Sequence, residues 1–134
     1  MLTDDEFERV TGGVTLAGKL LGLVRQPSAA ELQSLYDVLL EDVDRPNSAV
    51  EALGYAFGNL FLEQDWLHWV MVTDAEFGDE PGIAVQDREV ACSPLSMMRN
   101  RLEDGEHWDL LQLLDNTMTR LRQLGQNSAS ASGS

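Results

Sequence analysis

Trp66-Leu67-His68-Trp69-Val70-Met71-Val72-Thr73 is where the chain changes character. Upstream, apolar residues recur every three or four positions. Here they run almost unbroken and are rich in aromatic and β-branched side chains, which suits a central strand covered on both faces. Residues 74–81, Asp-Ala-Glu-Phe-Gly-Asp-Glu-Pro, read as a loop by composition. Residues 82–86 and 89–92 read as two short strands joined at Asp87-Arg88, so the economical arrangement is a three-stranded antiparallel meander.

Working outward toward the N-terminus, helix starts are well marked. Thr3-Asp4-Asp5-Glu6, Ser28-Ala29-Ala30-Glu31 and Ser48-Ala49-Val50-Glu51 all match the capping box, in which hydroxyl and glutamate each satisfy a free amide of the first turn. A first helix over about 4–24 carries Phe7, Val10, Val14, Ala17, Leu21 and Val24 on one stripe. Gly12-Gly13 lies inside it, costs about 2 kcal/mol relative to alanine, and predicts a kink or break. A second helix over about 29–43 and a third over about 49–64 follow the same periodicity. On the third, Gly54 and Gly58 are one turn apart, a spacing that lets another element approach closely.

Toward the C-terminus, Ser93-Pro94 is a cap followed by proline at the first helical position, and that helix stops near Gly105. A fifth helix over about 106–124 carries Leu110, Leu111, Leu114, Met118 and Leu121 on one face. The expected fold class is α+β: a small three-stranded antiparallel sheet with about five helices packed on it. Residues 1–125 read as one domain, with a helical part over 1–46 and the core over 47–125. The Ser/Ala/Gly-rich residues 126–134 read as a disordered tail.

Charge is the loudest compositional feature. The 134 residues hold 23 acids and 9 bases, a formal charge of −14. Such a surface repels nucleic-acid phosphate and anionic lipid, so neither nucleic acid nor membrane is an expected partner. It keeps a small protein soluble as a monomer or weak homodimer, and it attracts a basic protein. The single cysteine, Cys92, excludes an intrachain disulfide and suits a reducing, cytoplasmic compartment. The acidic start is unlike a secretory leader, and no apolar run is long enough to span a bilayer.

No motif announces chemistry. His68 lies mid-strand and reads as a partly buried structural histidine. Glu103 and His107 share a spacing of four, but Gly105 interrupts them, and two ligands do not close a metal site. Cys92 precedes a helix start, where the dipole favours a thiolate, yet the surrounding acids oppose one. The carboxylates of residues 74–80 lack the spacing of a calcium loop. No cofactor, catalytic residue or metal ligand is therefore assigned. Phe77 stands among acids in that segment, as an aromatic contact rimmed by charge would, so Asp74, Glu76, Phe77, Asp79 and Glu80 form the expected partner contact.

The helix Val50-Glu51-Ala52-Leu53-Gly54-Tyr55-Ala56-Phe57-Gly58, the strand Trp69-Val70-Met71-Val72-Thr73-Asp74 and the segment Ser93 to Glu106 resemble an uncharacterised bacterial family, domain of unknown function 3806. The resemblance covers about residues 47–106. It implies a bacterial source and a compact α+β domain, and no reaction. Members carry a basic pair in the helix after the meander, which Arg99 and Arg101 match loosely. Two functions are thus weighed. The first is a non-catalytic interaction module with an acidic surface, immunity-like or adaptor-like. The alternative is a small hydrolase or ligand-binding enzyme with a cleft near Asp74, His68 and Cys92. The latter requires those side chains to lie within direct or single-water reach of one another.

Overall fold

The computed structural model describes residues 2–74, 78–86 and 91–133. Five helices and a three-stranded antiparallel sheet make an α+β fold: α1 (Asp4–Leu20), α2 (Ala29–Glu41), α3 (Asn47–Phe61), β1 (Leu67–Asp74), β2 (Gly78–Val85), β3 (Ala91–Cys92), α4 (Pro94–Glu103) and α5 (Leu110–Gly133).

Two of the three expected capping boxes form. The Glu6 and Glu31 amides donate to Thr3 and Ser28 hydroxyls at 3.2 and 3.3 Å, and the two glutamates accept from the cap amides at 2.7 and 3.0 Å. The third does not form, because α3 begins at Asn47 with Pro46 as its cap, which places Ser48 inside the first turn. The helix ends also correct the sequence reading. α1 stops at Leu20, not at 24: Gly22 adopts φ +72°, and the Gly22 and Leu23 amides donate back to Lys19 and Gly18 carbonyls at 3.0 and 2.8 Å. That left-handed closure ends a helix whatever the hydrophobic stripe beyond it does, and it leaves Val24 in solvent. Gly105, at φ +67°, closes α4 in the same way, as expected.

α1 does not break at Gly12-Gly13. It is one continuous helix, and Gly13 sits against the Tyr55 ring, where a Cβ would lie 2.3 Å from Cδ2. The glycine is a contact point between α1 and α3 and not a hinge. α3 is the central helix, with eleven of its fifteen residues buried, and α1, α2, α4 and β2 all pack on it. Gly54 and Gly58 provide the expected close approach, to Leu95 for the first and to Trp69 and Pro94 for the second.

The C-terminal connection is held by polar side chains from α2 and the turn after it. Gln33 accepts from the Leu110 amide at 2.6 Å and donates to the Trp108 carbonyl at 2.8 Å, and the Tyr36 hydroxyl donates to the Glu106 carbonyl. Arg45 donates to the carbonyls of Leu39, Asp42 and Leu102, so one guanidinium closes the ends of α2 and α4 together. The fifth helix starts at Leu110, later than expected, and its backbone continues through residues 126–133, where composition reads as disorder. Each added residue extends an existing ladder by one bond, and no proline interrupts it.

The sheet order is β1-β2-β3, the expected meander. The segment of residues 66–73 is not its central strand, however: β1 is an edge and β2 lies in the middle. β2 is longer than expected because residues 78–81, read as loop, pair with Met71 to Asp74. The ladder explains how Pro81 is tolerated there. The Gln86 amide donates to the Trp66 carbonyl at 2.9 Å, which fixes the phase of the register. His68–Ala84, Val70–Gly82 and Val72–Glu80 are then the hydrogen-bonded pairs, and Met71–Pro81 falls between them, where the missing N–H forfeits no bond to β1. Nor is β1 covered on both faces. Leu67 and Trp69, on one face, are buried, whereas on the other His68 is exposed and Val70 and Val72 are only half-buried.

Candidate functional site

The three groups proposed for an enzymatic cleft do not meet. Trp69, Ile83 and Cys92 face one another across the three strands and share one face; His68, Ala84 and Ala91 share the other. His68 and Asp74 are six residues apart on one strand, roughly 20 Å. Burial pushes the Cys92 thiol up to about 11, against a smaller opposing hydrogen bond from the Ile83 backbone, so it is a neutral thiol at physiological pH. His107 lies beside α2, after the Gly105 reversal, and does not share a helix face with Glu103. Among the described residues no group of three or more histidine, cysteine or acidic side chains is placed to hold a metal ion.

The expected partner contact divides. Ala75, Glu76 and Phe77 lie outside the described residues. Asp79 is exposed and accepts from the Thr73 hydroxyl at 2.9 Å. Glu80 points inward, with 3% of its surface accessible. Its carboxylate accepts from Ser93 and Ser96 hydroxyls at 2.5 and 2.8 Å and from the Arg99 guanidinium at 2.5 Å. Burial alone would raise the Glu80 pKa, but the bonds from Arg99, Ser93 and Ser96 together outweigh it and hold the carboxyl below the usual range. A carboxylate so stabilised is a poor proton acceptor. The cluster therefore ties β2 to the start of α4, and composition gave no sign of it, since Asp79-Glu80-Pro81 reads as solvated loop.

The open surface lies elsewhere, around the start of β1 where it meets α1. Leu2, Phe7, Leu62, Leu67 and Trp69 line an apolar groove of about 810 Å³, with Asp4 and Asp65 at its rim and His68 beside them. Phe7 is 58% exposed and is one wall of it, contrary to its expected place in the core. A second hollow of about 700 Å³ shares Phe7, Leu62 and Trp69 and extends along α1. Sequence reasoning missed this surface, because Phe7 sits in register with the buried Val10 and Ala17 and differs from them only in having nothing packed over it.

The family model described as Domain of unknown function (DUF3806) matches residues 29–113. The chain belongs to that family. The DUF3806 match runs from α2 into the first turn of α5 and includes the whole sheet and the Glu80 cluster. α1, which supplies the Phe7 wall of the groove, lies outside it. No curated protein and no solved structure matches the chain. Among the described residues no helix is long and apolar enough to cross a membrane.

Proposed function

We propose that this DUF3806 protein is a non-catalytic interaction module that presents an acidic surface to a basic protein, in the manner of an immunity protein or adaptor, in the bacterial cytoplasm. The observation that carries the reading is the formal charge of −14 on a 134-residue chain. Exposed acids stand at the start of α1, after α2, between α3 and β1, and around the α4–α5 turn, so the field covers much of the surface. Such a field steers a basic partner and rejects acidic ones. The separation of His68, Asp74 and Cys92 supports the same reading by leaving the enzymatic alternative without its cluster of groups.

The test is affinity capture from the source cell at low and at raised salt. A partner of high isoelectric point, retained at low salt and released at raised salt, is the expected result. Capture of nothing under either condition, or of partners whose retention ignores salt, overturns the proposal.

A further inference from the structure

We infer that the outer edge of β1 is a strand-addition site for an extended, basic segment of the partner, with the adjoining groove receiving one of its apolar side chains; this rests on the interaction role proposed above. The ladder phase set by Trp66 and Gln86 turns the N–H and C=O groups of Trp69, Met71 and Thr73 away from β2. No backbone hydrogen bond from another described element reaches them. Leu67, in the same phase, donates instead to the Gln64 carbonyl at 3.3 Å, so the outward row begins at Trp69. β1 is eight residues long, roughly 27 Å, and its sequence Leu-His-Trp-Val-Met-Val-Thr-Asp holds neither lysine nor proline, the residues that ordinarily blunt an exposed edge.

Strand addition draws affinity from main-chain bonds and specificity from pockets for alternate side chains. The groove formed by Phe7, Leu62, Leu67 and Trp69 lies at the Leu67–Trp69 end of this edge and offers such a pocket. The sign of the occupant follows from charge. Asp4 and Asp65 stand at the groove, Glu63 is exposed just before β1, and Asp79 is exposed beside Thr73. The bases near this edge are Arg122, over the Trp66 ring at 5.2 Å, and Lys19 and Arg25 in the second hollow, Arg25 being paired with Glu31, so a partner's bases are drawn to the Asp4 and Asp65 side. A second copy of the chain would bring another −14 against this edge, which disfavours edge-to-edge pairing of two copies.

The probe is a peptide alternating arginine and valine, about as long as β1, added to the full chain while amide exchange is followed residue by residue. The expected result is slowed exchange at Trp69, Met71 and Thr73, with His68, Val70 and Val72, already bonded to β2, unchanged. N-methylation of alternate peptide amides, tried in both registers, keeps charge and side chains but removes the pairing donors, and should weaken binding at least about tenfold in one register. Replacing arginine with glutamate should abolish binding. Met71→Pro, which takes away an outward donor without a ladder bond to β2, should weaken it by about the same factor. Binding unaffected by N-methylation in either register, or protection confined to sites away from β1, overturns strand addition while leaving the acidic-surface reading standing. Protection of the same three amides by self-association without peptide overturns the basic occupant.

Discussion

At the scale of single residues, Glu80 is the strongest departure from expectation. Breaking a buried charge pair by removing one partner is costly, so Glu80→Ala should lose about 3 kcal/mol in urea unfolding, because Ser93, Ser96 and Arg99 all lose their shared acceptor. The pH dependence follows from the direction of the shift. A carboxyl whose folded pKa lies below its unfolded value stabilises the protein above the ordinary carboxylate range, and that contribution disappears as pH falls through the folded value. Glu31, held to about 2 chiefly by Arg25 and then by the Ser28 amide, acts in the same sense. Stability should therefore fall as pH drops from about 4 toward 2, and Glu80→Gln should flatten part of that fall. An acid limb identical to that of the unmodified chain would show the cluster to be energetically idle. Cys92 gives a second residue-scale expectation. With its thiol pushed up to about 11, alkylation of the folded protein at neutral pH should be far slower than that of an exposed cysteine and should accelerate on unfolding.

At the scale of elements, glycines separate what the sequence reveals from what it does not. Gly12 and Gly13 are indistinguishable by pattern, yet a Cβ on Gly12 meets nothing within 4 Å and one on Gly13 would strike the Tyr55 ring. Gly12→Ala should raise stability by about 0.5–1 kcal/mol through helix propensity. Gly13→Ala should lower it by about 1–3 kcal/mol, because overpacking the α1–α3 contact outweighs the same propensity gain. Equal thermal shifts for the two would mean that α1 does not pack on α3 as described. Helices and their approximate extents were legible because capping residues and apolar periodicity are local signals; Thr3, Ser28 and Ser93 all cap as read. The order of strands was not local. The run of residues 66–73 reads as central because it is apolar, yet it lies at an edge, and Pro81 hides the true middle strand by looking like a loop. Whether an apolar side chain such as Phe7 is covered depends on what another element happens to place over it, which periodicity along one helix does not contain.

At the scale of the whole molecule, one property acts in opposite directions on folding and on recognition. A charge of −14 repels itself within the compact state, and salt screens that repulsion. Added sodium chloride should thus stabilise the free protein, by about 1 kcal/mol or a few degrees in melting temperature between low and moderately high ionic strength. The same screening should weaken a basic partner or peptide about tenfold or more, mostly through slower association. The opposition of sign is the informative part. A compact domain stabilised by the Glu31–Arg25 and Glu80–Arg99 pairs alone would lose stability in salt, since screening weakens attraction as well as repulsion. A melting temperature that falls with salt would place the pairs above the net field. One that rises, together with falling affinity, would mean that the acids outside those pairs are surplus to folding, as a surface kept for a basic partner requires.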